Sequence, residues 1–153
     1  MRLLALAPFA RFTDPAALVV RVIVGIVMAA HGLQKLMGGP ANFGQGLLGQ
    51  LGVSAPALMG YVVTLVELGG GILLVIGLLS RLAALLLTIN LLVAILLVKI
   101  NVGLIAEMGA GAELDLALIA GFVTILLIGP GRLSVDQAIG IDGTERDRRG
   151  TPR

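Results

Sequence analysis

The sequence predicts an all-α integral membrane protein, a four-helix bundle. Three observations carry that reading. Of the 153 residues, 58% are hydrophobic and only 13% charged, where soluble domains hold about 45–50% apolar and about 25% charged residues. Mean hydropathy is +1.05. The apolar residues fall into four runs separated by glycine, proline and charged residues. At ~20 residues per crossing, four crossings with short loops use most of the chain and leave no room for a separate soluble domain.

Residues 1–15 (MRLLALAPFARFTDP) hold a short apolar run between Arg2 and Arg11, broken by Pro8. The run is too short and too interrupted for a signal peptide and reads as a cytoplasmic or interfacial arm. Asp14 and Pro15 read as the N-cap and first position of a helix over about 16–37, because proline's missing N–H costs nothing there. Gly38, Gly39 and Pro40 stop it. The uncharged, glycine-rich segment 41–56 suits a loop or a short interfacial helix. Ser54 and Pro56 then open a second helix over about 57–79, and Arg81 marks a short turn. A third helix covers about 82–100 and is almost wholly Leu, Ile, Val and Ala apart from Thr88, Asn90 and the terminal Lys99. After a hinge with Glu107, Gly109 and Gly111, a fourth covers about 113–128 and ends at Gly129-Pro130-Gly131. Residues 130–141 read as an interfacial segment with Ser134 as a cap, and 142–153 as a disordered polar tail.

Arginine and lysine asymmetry sets the expected orientation. With the N-terminus inside, Arg2, Arg11, Arg81, Arg132, Arg146, Arg148, Arg149 and Arg153 lie on the cytoplasmic side, and only Lys35 and Lys99 opposite. Both termini are therefore expected in the cytoplasm, with the chain a multi-pass protein of the cell's inner (plasma) membrane.

Composition also narrows the chemistry. No cysteine is present, which removes disulfides, thiol redox chemistry and thiolate metal sites. A single histidine disfavours haem held by this chain alone, and the acidic residues show no metal-ligand spacing. The net charge of +2 and the absence of a nucleic-acid motif argue against a nucleic-acid partner; the lipid bilayer is the partner that composition demands. No inverted repeat points to a transporter.

The residues that conflict with a lipid environment are the candidate site. Charges inside a bilayer are costly, so such residues usually face the bundle interior or serve a site. Counted from the presumed cytoplasmic ends, Arg21 lies about 8 Å in, Asn90 about 12 Å, Glu67 about 18 Å and His31 about 22 Å. Arg21, Met28, His31 and Lys35 share an arc of about 80° on the first helix. Glu67 is ringed on its own helix by Gly60, Thr64, Gly70, Gly71 and Gly77, which invites close helix approach and also permits a homo-oligomer. The expectation is that His31 and Glu67 face each other and handle protons, with Arg21 reaching up to the carboxylate, Asn90 bridging helices and Lys35 an ordinary outer-edge anchor. An apolar pocket with a histidine and a carboxyl suits a quinone.

These residues also resemble a known family. The order RVIVGIVMAAHGLQKL, then VELGGGILLVIGLLSRLAAL, then GAE and a closing GPGRLSVD resembles the DoxX family of small membrane proteins, over roughly Ala16 to Asp136. Arg21, His31, Gly32, Lys35, Glu67, Gly70, Gly71, Gly77, Arg81, Glu113, Gly129, Pro130, Gly131, Ser134 and Asp136 stand at the matching positions. The resemblance implies a four-helix bundle and an association with redox. Its archetype is a subunit of a thiosulfate-oxidising, quinone-reducing complex; other members are linked to oxidative-stress complexes or to resistance against quinone-like compounds. The expectation is a subunit of a quinone-linked oxidoreductase complex, not catalytic by itself, with His31, Glu67, Arg21 and Asn90 at the quinone. The alternatives are a non-catalytic anchor for a soluble oxidoreductase partner, or a small solute exporter.

Overall fold

The computed structural model describes residues 13–100, 102–106, 109 and 111–141, and among them there are helices and no strands. The expected disordered tail and Glu107 lie outside the described residues. Four long helices form the body: α1 (Thr13–Gly38), α3 (Pro56–Ile76), α4 (Ser80–Ala94) and α5 (Ala112–Ile128). The short α2 (Pro40–Phe43) and α6 (Val135–Ala138) complete the set. Both α2 and α4 run on through a wider π turn, at Gly44–Leu48 and Ile95–Lys99 respectively.

Among the described residues three helices are long and apolar enough to cross a membrane: Thr13–Gly38, Pro56–Ile76 and Ser80–Lys99. Helix α5 is equally apolar in character but has 17 residues. Large hydrophobic side chains cover the outside, among them Ile23, Leu65, Leu96 and Leu127. A water-soluble monomer does not sustain apolar surface on this scale, whereas lipid tails do.

The helices pack through an antiparallel α1–α3 seam. A Cβ added at Gly32 would meet the backbone of Leu68, one at Gly71 the backbone of Ala29, and one at Gly25 Leu74 and Val75. Ascending α1 therefore descends α3. In lipid, where no hydrophobic gain drives helices together, such backbone-to-backbone approach supplies van der Waals contact that larger residues would prevent. Behind the seam Val24, Met28, Leu74, Leu87, Leu118, Phe122 and Ile125 make one core shared by α1, α3, α4 and α5. Thr64 and Thr88 bury their hydroxyls by donating to the carbonyls of Gly60 and Ala84, 2.7 Å away in each case.

Segment 41–56 is less loop-like than its glycines suggest. Its helical part docks on the start of α3, burying Pro40, Gly44 and Leu48, and Gly44 sits against the Pro56 carbonyl. Glycine there permits the approach.

The α3–α4 turn differs from expectation as well. Arg81 lies in the first turn of α4, not in a loop, and donates to the Leu126 carbonyl of α5. The turn itself is Gly77 to Leu79. Gly77 takes φ +75°, and the Leu78 N–H returns to the Leu73 carbonyl at 3.0 Å, closing α3. Leu79 stands at the start of α4 with φ +48°, an uncommon conformation for a bulky side chain, and carries no capping oxygen of its own. Asp136 supplies one from across the sequence: its carboxylate accepts from Leu79 N at 2.6 Å and Ser80 N at 2.8 Å. Ser134 caps α6, accepting from Gln137 N at 3.2 Å.

Candidate functional site

The α1–α3 register determines what Glu67 meets. Glu67 is 5% exposed and directly precedes Leu68, the residue against which Gly32 packs. Side chains on a helix tilt toward its N-terminus, so in this antiparallel pair Lys35 and Glu67 lean toward each other. Lys35 Nζ stands 2.5 Å from Glu67 Oε2, and Asn90 of α4 donates to Oε1 at 3.1 Å. The ammonium also sits 5.2 Å from the centre of the Phe43 ring, within cation–π reach. One carboxylate thus ties α1, α3 and α4 together.

A second ion pair forms where α4 and α5 meet. The π turn ending at Lys99 directs its ammonium onto Asp115 Oδ1 at 2.9 Å and the Gly111 carbonyl at 3.0 Å. Asp115 is as buried as Glu67, and its other oxygen, Oδ2, has no hydrogen-bond partner among the described residues.

Between the two pairs lies a cavity of about 270 Å³. Lys35, Glu67, Asn90, Lys99, Asp115 and His31 all line it. Its walls are otherwise apolar, with Met28, Phe43, Leu47, Leu48, Leu91 and Leu118 among them. The volume and lining suit a ring-sized apolar molecule with oriented polar groups. Two ammonium groups and an amide offer hydrogen-bond donors, and the imidazole can donate from one nitrogen while accepting at the other. Among the described residues no three His, Asp or Glu side chains stand together as metal ligands; the cavity's own side chains offer hydrogen bonding, charge and proton exchange.

Of the residues expected at the site, His31, Glu67 and Asn90 line the cavity. The pairing differs: Lys35, expected as an outer-edge anchor, holds Glu67, while His31 stands in the wall. Arg21 is elsewhere. It is 1% exposed at the opposite end of the seam, and Nη2 donates to the Leu133 carbonyl at 2.8 Å. Its Nε and Nη1 have no hydrogen-bond partner among the described residues, and a Cβ at Gly77 would collide with this guanidinium. With Asp136 beside it, Arg21 fastens the segment before α6 to the α3–α4 turn. Its direction follows from the same tilt, which points Arg21 away from Glu67. Lys99 and Asp115 went unassigned from sequence, although a lone charge ending the apolar α4 run and a buried acid in the first turn of α5 were available signals.

The sequence profile of the DoxX family matches residues 16–100, which include Lys35, Glu67, Asn90 and Lys99. The chain belongs to the DoxX family. Among its relatives are the uncharacterized membrane protein Rv3486 of Mycobacterium tuberculosis, 32% identical over 82% of each chain, and a Bacillus subtilis protein with the provisional oxidoreductase name CatD, 35% identical over 78% of this chain and 83% of that one. No solved structure matches this DoxX protein.

Proposed function

We propose that this DoxX protein is the membrane subunit of a quinone-linked oxidoreductase complex, spanning the inner membrane four times, with α5 as the fourth crossing and both termini cytoplasmic. The observation that carries the reading is the apolar cavity of about 270 Å³ with the Lys35–Glu67–Asn90 group and His31 in its wall. These residues fit a quinone head group: Lys35 and Asn90 are donors for a carbonyl oxygen, Glu67 fixes both donors in place, and His31 is free to pass a proton. A quinone bound there would accept two electrons and two protons. The chain has no cysteine and so no thiol to carry electrons; the reading assigns electron delivery to a partner, and the oxidoreductase name of a relative supports that division of labour.

Glu67→Gln tests the reading. Protein purified in native lipid is expected to retain quinone, and the variant to bind it at least about tenfold more weakly at normal protein level, the loss expected for a hydrogen-bonded charged group. Unchanged binding by a folded variant overturns the assignment.

One observation favours a second reading, a non-catalytic anchor for a soluble partner. Both Glu67 oxygens are already satisfied by groups on other helices, which is how a purely structural carboxylate is held. Under that reading Glu67→Gln lowers abundance rather than quinone binding, and pull-down of the intact protein recovers a soluble oxidoreductase.

A further inference from the structure

We propose that Lys99 is the second carbonyl donor of the cavity, and that the site therefore takes 1,4-diketone rings, the para-quinones, held at both oxygens. The inference rests on the quinone-linked reading, which gives one carbonyl to Lys35 and Asn90, and adds the residue that meets the other. Its basis is a pattern shared by the two ion pairs. In each, the ammonium is the accessible partner and the carboxylate the covered one: the Lys35 side chain is 18% exposed against 6% for Glu67, and Lys99 20% against 7% for Asp115. Both lysines line the cavity. What a ligand meets at each end is therefore an N–H donor.

Both donors have capacity to spare. An ammonium carries three N–H groups. Lys35 gives one to Glu67. Lys99 gives one to Asp115 Oδ1 and one to the Gly111 carbonyl, which leaves one, enough for a single carbonyl oxygen. The spacing suits a ring between them. Asn90 and Lys99 stand on one helical run, Ser80–Lys99, with their Cα atoms about 13 Å apart along its axis at ~1.5 Å per residue. Side chains tilt toward the helix N-terminus, which brings the Lys99 ammonium back toward Asn90. Two para oxygens roughly 5 Å apart, with a hydrogen bond of about 3 Å at each, span roughly 11 Å. A ring with one carbonyl reaches only one end. Each ion pair is also neutral as a unit, so a neutral diketone satisfies both ends without leaving a charge unmatched.

The test uses the full chain in lipid nanodiscs and equilibrium dialysis of three neutral probes of similar shape. They are 2,3-dimethyl-1,4-naphthoquinone, whose methyl groups block addition of amines to the ring, 2,3-dimethyl-1-tetralone with one carbonyl, and 2,3-dimethylnaphthalene with none. Affinity is counted from the lipid-dissolved probe, measured with empty discs. The diketone is expected to bind at least about tenfold more tightly than the monoketone, the gain from one further hydrogen bond to a charged group. Lys99→Met is expected to remove that gain and to leave the monoketone, held at the Lys35 end, within about twofold of its natural affinity. Because Lys99→Met strands the Asp115 carboxylate, the double variant Lys99→Met, Asp115→Leu is measured beside it; it removes the donor and the stranded charge together and is expected to show the same loss. Equal affinity for the two ketones, a diketone preference that survives in a folded variant, or an equal loss of both ketones there overturns the inference. If neither variant folds, the ranking of the probes on the natural chain decides. Failure of both ketones to bind more tightly than the hydrocarbon overturns the quinone-linked reading itself, whereas both ketones binding alike and above the hydrocarbon leaves that reading standing and removes only the role given to Lys99.

Discussion

Replacing Lys35 by methionine removes a charge and leaves its counter-charge behind. Glu67 is 6% exposed at its side chain and Lys35 18%, so the carboxylate is the deeper partner and cannot turn to water when the ammonium is gone. Breaking a buried pair in this way costs about 3–5 kcal/mol. The Asn90 bond to Oε1 survives the change, and Lys35 is partly exposed, so the lower end applies. A loss of about 3 kcal/mol lowers the folding equilibrium somewhat more than a hundredfold. The double variant Lys35→Met, Glu67→Gln removes the stranded charge while keeping an acceptor for Asn90, and should recover about 1–2 kcal/mol of the loss, because contacting residues are not additive. Denaturation by sodium dodecyl sulfate in mixed micelles, followed by far-ultraviolet circular dichroism, measures all members of the cycle. A single Lys35→Met that costs under about 0.5 kcal/mol, or two changes whose costs simply add, would refute a pair that acts as one buried unit.

Other perturbations probe the frame around the site. Asp136→Ala strips the carboxylate from Leu79 N and Ser80 N and should cost about 1–3 kcal/mol, read as a lower midpoint in the same denaturation; an unchanged midpoint would mean that solvent caps α4 equally well. Gly32→Ala puts a methyl group into the Leu68 backbone and should lose at least about 1–3 kcal/mol, while Gly69→Ala, where a Cβ meets nothing within 4 Å, should leave the midpoint where it was. Equal behaviour of the two glycine variants would show that the seam is not tight.

The helical class was legible from composition, and the small-residue interface around Glu67 and the similar level of His31 and Glu67 from spacing. Which residues pair was not. Axial height is a property of Cα positions: heights counted from the helix ends put His31 nearer to Glu67, whereas the seam register sets Glu67 level with Leu33, two residues from His31 and Lys35 alike. A lysine reaches several ångströms along the direction in which its helix tilts it, and a glutamate on an antiparallel neighbour reaches back to meet it. The same tilt carries Arg21 the other way, toward Leu133. Asp115 lies outside the expected site for another reason: whether an acid in the first turn of a helix is a solvated end charge or a buried one depends on the residue opposite, and Lys99 comes to face it only through the π turn of α4. The cap on Leu79 was equally invisible, because its donor and acceptor residues are 57 positions apart.

That separation bears on synthesis. A nascent chain grows at about 5–20 residues per second, so roughly 3–11 s pass between the emergence of Ser80 and that of Asp136, 56 residues later. Through that interval α4 has no carboxylate for its first N–H groups, and Leu79 has nothing to hold its left-handed turn. The α3–α4 hairpin is therefore provisional until the segment before α6 arrives. A chain that stops short of Asp136 has every long helix made and the carboxylate fastening of Leu79 and Ser80 absent.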